Sequence, residues 1–302
     1  MCDALGFDSL WVRDHIFISS AHQEHGGIVD PGYILEAMLV LSALSSITSH
    51  ARLGTAIVTP HRHPLKVAQL FGTLDQLSGG RAIFGIGAGW DANEFAALGL
   101  DFDQRIQMVR ETVEICRLAW ANNEFAYHGK VFDIPAARVN PRPLQDEIPI
   151  WYGGLSFKAV ELAVELGNGW IPSRIPYDRL GERLARARDL LHAAGRKAPF
   201  TFAAMPQTSI RPNREDALAR FDLDLIMAEA LHRKPVSGRR QRLTLEDLEG
   251  YLIWGDASDI CGFVERFISL GVTHIIFDMR MAFDNFEADV AILGEEVIPA
   301  FR

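Results

Sequence analysis

Several side chains in this sequence have the types and spacing that chemistry needs. His15 follows Asp14 at the end of Asp8–Arg13 (Asp-Ser-Leu-Trp-Val-Arg), a run that reads as a strand. An imidazole titrates near neutral pH, so a histidine at a strand end can give a proton to a bound molecule or take one from it. A buried structural histidine is the competing reading. Neighbours in a strand point to opposite faces, so Asp14 is not its expected partner. Gly153-Gly154-Leu155-Ser156 stands between an expected strand and an expected helix. Glycine lets the backbone approach an anion, and a helix N-terminus offers amides and a partial positive charge. A plain strand-to-helix turn would use the same residues. Gly85-x-Gly87-x-Gly89 is not the dinucleotide fingerprint, because its third glycine comes one residue early. Small residues at a strand end would instead leave room for a flat ring.

His22, His25, His61 and His63 raise a metal hypothesis, since His-x-His puts both imidazoles on one side of an extended segment. No cysteine or carboxylate cluster accompanies them at a recognisable spacing, and no metal is expected. Asp75 and Arg81 flank a helix end and read as a structural ion pair.

The elements that must position these groups alternate between short β-branched or aromatic runs and longer helical periods, the pattern of βαβ units and a parallel sheet. Strands are expected at Asp8–Arg13, Arg52–Val58, Ala82–Ile86, Ile148–Tyr152, Gly169–Pro172, Phe200–Ile210 and His274–Asp278. Helices are expected at Tyr33–Thr48, Pro64–Leu77, Asp103–Ala121, Phe157–Leu166, Tyr177–Ala194, Arg214–Leu231, Ser258–Leu270 and Asn285–Ile298. Pro64 suits a first helical turn and Gly79-Gly80 a left-handed stop. Tyr127–Ile134 reads as an excursion, and the basic stretch His232–Leu243, with Arg239, Arg240 and Arg242, as a loop. The seven strands are one short of a closed eight-stranded barrel. The opening Met-Cys-Asp-Ala-Leu-Gly-Phe-Asp looks like a helix end turning into a second strand, so a lost first strand is expected. A single domain over 1–302 accommodates the whole pattern.

Composition narrows the function. The 302 residues are 48% hydrophobic and carry a formal charge of −9, which suits a large core and argues against nucleic acid. Cys2, Cys116 and Cys261 are far apart with no CxxC spacing, pointing to a reducing cytoplasm. No apolar run reaches the length of a membrane span, and no signal peptide is visible.

Four ordered segments resemble the bacterial-luciferase-like superfamily, which includes coenzyme F420-dependent oxidoreductases. They are Leu5-Gly6-Phe7-Asp8-Ser9-Leu10-Trp11-Val12-Arg13-Asp14-His15; Arg62-His63-Pro64 with Thr73–Arg81; Gly85–Trp90 with Asn93-Glu94; and Asn140-Pro141-Arg142-Pro143 with Pro149–Gly154 and Gly167–Trp170. The resemblance implies an α/β fold, a luciferase-like (β/α)8 TIM barrel with its site at the carboxyl ends of the strands. It implies hydride transfer between coenzyme F420 and a small organic substrate, with His15 catalytic. An FMN-dependent monooxygenase and a non-catalytic flavin-binding barrel are the alternatives, with a metal-dependent isomerase on the same architecture behind them. Asp14, Val58, Thr59, Asn93, Gly153, Gly154, Leu155, Ser156 and Pro172 are the implied cofactor contacts. In that scheme Gly153–Ser156 cradles phosphate, Asn93 meets the ring's pyrimidine edge, and Val58-Thr59 lies at a bulge beneath the ring. Trp11, Phe17, Trp90 and Phe95 can line an apolar substrate pocket, although packing explains such aromatics equally well. Trp90 stands where the family's glucose-6-phosphate dehydrogenases carry an assisting glutamate, which argues against that sugar-phosphate activity. The family is commonly dimeric, so a homodimer is expected.

Overall fold

The computed structural model describes residues 1–17, 34–232, 243–280 and 285–302. Two compact units share the chain. The first combines Phe7–Phe17 with Ile34–Ile171, and the second combines Met1–Gly6 with Pro172–Arg302.

The first unit alternates strands and helices. Its elements are β1 (Ser9–Val12), α1 (Ala37–Ile47), β2 (Arg52–Thr55), α2 (Pro64–Ser78), β3 (Ala82–Gly87), α3 (Ala92–Ala97), α4 (Arg105–Ala121), β4 (Phe125–His128), β5 (Asp133–Ala137), β6 (Ile150–Gly153), α5 (Phe157–Leu166) and β7 (Gly169–Ile171). β1, β2, β3, β6 and β7 pair in that order and all run parallel, with Trp11 beside Gly54, Ile86 beside Tyr152 and Gly153 beside Ile171. All strand carboxyl ends therefore lie at one edge, where loops can present side chains together. α2 starts as its sequence dictates: Pro64 occupies the first turn, the His63 ring caps it, and Gly79 ends it at φ 69°. β3 is buried along its full length, as a parallel strand covered on both faces should be.

One expectation changes here, and two features are added. The strand expected over Arg52–Val58 ends at Thr55, the Ala56–Ile57 peptide is cis, and Val58 rejoins β3 only through a bridge to Ile86. Tyr127–Ile134 is an excursion from the parallel sheet, as expected, and holds most of the antiparallel β4–β5 hairpin. α3 is a helix of only 6 residues that periodicity does not reveal.

In the second unit α6 (Tyr177–Ala193) leads to β8 (Thr201–Ala204) and β9 (Gln207–Ile210). α7 (Arg214–Leu218), α8 (Leu223–His232), β10 (Leu252–Gly255), α9 (Ala257–Leu270), β11 (His274–Ile275) and α10 (Phe286–Ile292) follow. β8 pairs with β11 and β9 with β10, both in parallel. The single strand expected over Phe200–Ile210 is thus divided at Met205-Pro206, where proline has no amide for the ladder. The helix expected over Arg214–Leu231 is two helices, and β10 lies in a stretch without an expected strand. The Arg239, Arg240 and Arg242 loop lies outside the described residues.

Candidate active site

Beyond β1 the chain continues through Arg13 and Asp14 to His15. Asp14 is buried and receives both guanidinium nitrogens of Arg62, Nη2 reaching Oδ1 at 2.8 Å; the same Nη2 donates to Glu36 Oε1 at 2.6 Å. Asp14 therefore belongs to Arg62 and not to His15. His15 Nδ1 lies 3.1 Å from Glu94 Oε2, and the Ile16 amide donates to Glu94 Oε1 at 2.8 Å.

Glu94 is the residue sequence reasoning missed. α3 delivers it: Asp91 caps the helix by accepting from the Asn93 amide at 2.9 Å, which leaves Asn93 exposed and turns Glu94 and Phe95 inward. Burial pushes the Glu94 carboxyl up. The His15 hydrogen bond, the Ile16 amide and the charges of His15 and His61 outweigh that, leaving it below the usual carboxylate range. An ionised carboxylate can only accept, so the Nδ1–Glu94 bond puts a proton on Nδ1. In the neutral ring that leaves the lone pair on Nε2, which has no hydrogen-bond partner among the described residues.

Two of the implied ring-side residues lie just past a strand end. Val58 and Thr59 are both buried just past β2, with Val58 exchanging backbone hydrogen bonds with Gly85 and Gly87. The room expected beside Gly87 is already taken. A Cβ on Gly87 would lie 2.0 Å from Ile57 Cδ1, and one on Gly153 2.8 Å from it. These glycines admit the Ile57 side chain.

Gly153-Gly154-Leu155-Ser156 does join a strand to a helix. Gly154 has φ 145°, a Cβ there would sit 2.7 Å from the Ala159 Cβ, and Trp170 Nε1 fixes its carbonyl at 2.9 Å. Ser156 caps α5 by accepting from the Ala159 amide at 3.1 Å and keeps its own O–H to donate. The first turn of α5 has no acidic residue, so the positive end of the helix is not cancelled there. The turn fits an anionic group. Half-buried Leu155 belongs to it, whereas Pro172 opens the second unit, buried.

The aromatic residues divide. Trp90 is 48% exposed with its ring 5.7 Å from that of His15, a position open to substrate. Phe95 is fully buried between His61 and Phe102, 4.9 and 5.3 Å away by ring centroids. Trp11 stacks on Trp151 at 4.9 Å and covers Gly54, and Phe17 is half-buried. His61 bonds Thr59, and His63 caps α2. His22 and His25 lie outside the described residues. Among the described residues no three His, Cys, Asp or Glu side chains are grouped to hold a metal ion. Asp75 and Arg81 are both structural but do not pair. Asp75 accepts from the Leu144 and Gln145 amides at 2.7 and 2.9 Å, while Arg81 donates to Ser78, Thr48 and Ala51.

Comparison with known proteins bears on the fold and the family. The chain is 26% identical over 318 residues to the F420-dependent glucose-6-phosphate dehydrogenase of Microbacterium testaceum, covering 100% of this chain and 91% of that one. It superposes with a TM-score of 0.82 on an F420-dependent secondary alcohol dehydrogenase solved with an F420–acetone adduct, at 23% identity and covering 100% and 92% of the two chains. A monooxygenase from Streptomyces bottropensis follows at 0.80, 21% identity and 99% and 90% coverage. The fold is thus the luciferase-like (β/α)8 barrel, one strand short among the described residues. The sequence profile of the luciferase-like monooxygenases matches residues 1–274, and the chain belongs to that family.

Proposed function

We propose that the protein is an oxidoreductase that moves a hydride between coenzyme F420 and a small organic substrate, with His15 handling the accompanying proton. The observation that carries this reading is the His15 Nδ1–Glu94 contact of 3.1 Å just beyond the end of β1. When bound, a deazaflavin supplies the hydride donor or acceptor. The rest falls to the chain. With Nδ1–H held by Glu94, the Nε2 lone pair takes the proton of a substrate hydroxyl as the substrate is oxidised, and the buried carboxylate steadies the resulting imidazolium. In the reverse direction the imidazolium returns the proton.

The Trp90 ring lies 5.7 Å from that of His15, and an indole N–H is not an acid, so proton transfer rests on His15. Gly153–Ser156 would hold the cofactor's phosphate against the start of α5, with Val58, Thr59, Asn93 and Asp14 nearer its ring. Trp11 and Phe17 complete the assignment with Trp90, whereas Phe95, fully buried between His61 and Phe102, serves as packing.

The working form is assigned as a homodimer. α1 has no charged residue and leaves Leu39 72% and Ile47 76% exposed, a face suited to a second copy. All three cysteines are free, which supports a reducing, cytoplasmic setting. No helix of the described residues is long and apolar enough to cross a membrane.

Titration of the purified chain with F420 and with FMN, alongside metal analysis of the same sample, tests the reading. F420 should bind at low micromolar concentration and be reduced when alcohols are supplied. FMN binding with oxygen uptake would move the assignment to a monooxygenase. Binding without turnover on any substrate class would make the protein a flavin carrier. Failure of both cofactors at high micromolar concentration, with metal co-purifying, would overturn it.

A further inference from the structure

His15 lies three residues past the end of β1 and Trp90 three residues past the end of β3, so both stand at the carboxyl edge of one parallel sheet. Gly89 takes φ 76°, and Asp91 is buried as the cap of α3, accepting from the Asn93 amide at 2.9 Å. The chain is thus fixed on either side of Trp90, while the indole between them stays half-exposed. An aromatic ring of this size held on a fixed turn offers a flat apolar face for another ring to pack against. That face borders the proton-transfer group: the centroids of the Trp90 and His15 rings are 5.7 Å apart, with the planes inclined at 60°. A substituent one ring long on the carbon that meets His15 spans this separation.

The charges around His15 set a second condition. Asp14 and Glu36 both accept from Arg62, and Glu94 faces His15 at 3.1 Å. Asp14, Arg62, Glu94 and His15 all act on the His61 ring, so they form one neighbourhood. Burial pushes the His61 imidazole down, so it adds no positive charge near neutral pH. With His15 neutral, as proton acceptance requires, three carboxylates stand against one guanidinium, a surplus of two negative charges among the described residues. An anion brought to His15 is repelled by that surplus, and a neutral molecule is not.

We propose that Trp90 is a specificity-determining residue and that the substrate is an uncharged alcohol bearing a flat apolar ring on its carbinol carbon, the ring packing on the indole while the hydroxyl meets His15. This deepens the hydride-transfer reading above and rests on it. In the step, the carbinol carbon gives its hydride to F420 and the hydroxyl gives its proton to His15 Nε2. The alcohol becomes the carbonyl compound, and its two electrons reduce the deazaflavin.

The test measures kcat/KM for F420 reduction by 2-propanol, 1-phenylethanol and mandelate. The second exchanges a methyl of the first for a ring, and the third exchanges the methyl of the second for a carboxylate. The unaltered chain should prefer 1-phenylethanol to 2-propanol by at least about tenfold, and to mandelate by at least about thirtyfold. Trp90→Ala should cut the first preference at least about fivefold, and Trp90→Phe, which restores a ring, less than about twofold. A variant damaged in fold or cofactor binding loses activity on all substrates together and keeps its ratios, so the ratios report the contact with substrate. Glu36→Gln, whose amide oxygen can still cap α1, removes one negative charge and should narrow the gap to mandelate about threefold. A ring preference unchanged in Trp90→Ala, or a mandelate gap that is absent or unmoved by Glu36→Gln, would overturn the proposal and leave the cofactor reading intact. F420 bound but reduced by none of the three would overturn the substrate class alone. Failure of the unaltered chain to bind F420 would instead remove the cofactor reading and this inference with it.

Discussion

Glu94 and Glu111 are both 1% exposed and lie in the same unit, and both carboxyls sit below the usual range although burial pushes them up. Their partners differ. Glu111, on α4, accepts from the backbone amides of Lys130 at 2.7 Å, Val131 at 3.1 Å and Phe132 at 2.9 Å, and from Gln107 Nε2 at 2.8 Å. None of those donors titrates, so the carboxylate is a clamp on the β4–β5 turn. Gly129 lets it in, since a Cβ there would come within 2.3 Å of Glu111 Oε2. Glu94 divides itself between one amide and the His15 imidazole. Burial and a lowered pKa are common to both, so neither marks the active carboxylate. The titratable partner does.

The most forceful way to break this distinction is at His15. His15→Ala should cut turnover by at least about a hundredfold and leave F420 affinity nearly unchanged, as expected for a proton-transfer group that does not hold the cofactor. Steady-state kinetics beside a binding titration decides it; full activity would remove His15 from its role and make Glu94 as structural as Glu111. Glu94→Gln comes next. An amide has one acceptor oxygen where the carboxylate has two, so His15 Nδ1–H and Ile16 N–H must compete for it. Turnover should fall about tenfold. A loss of stability with turnover unchanged would put Glu94 in the same class as Glu111.

How far the sequence reveals this contrast depends on the range of the forces involved. The βαβ order, the start of α2 at Pro64 and its stop at Gly79 follow from local rules, and so does the Gly153–Ser156 turn between strand and helix. The expectation that Asp14 is not the partner of His15 also holds, because Arg62 takes Asp14. The Glu94 contact spans 79 positions in sequence, beyond any periodicity. A local signal was nonetheless present: Asp91-x-x-Glu94 has the capping-box pattern that opens a helix, although here the glutamate reaches to His15 and not back to the cap. Ile57 left no signal, because a β-branched residue in a β-branched run reads as strand continuing. Its position between Gly87 and Gly153 depends on where the neighbouring strands end. The Asp75–Arg81 pairing failed because adjacency in sequence proposes a partner that backbone amides from Leu144 and Gln145 supply instead.

The smallest effect on turnover, and the sharpest control, belongs to Glu111→Gln. It should leave kcat and F420 affinity within about twofold, because none of its donors belongs to the site. Stability is another matter: one amide oxygen cannot serve three backbone N–H groups, and the loss should be about 2 kcal/mol near neutral pH. The pH dependence gives the sign. A carboxyl whose folded pKa is depressed stabilises the fold above its unfolded pKa, and that contribution is lost as pH falls through the folded value. The gap between the unaltered chain and Glu111→Gln in urea unfolding should therefore be widest near neutrality and close in the acid range. A gap that persists unchanged into acid would mean the glutamine fails through packing and not through charge, and the clamp reading of Glu111 would be wrong.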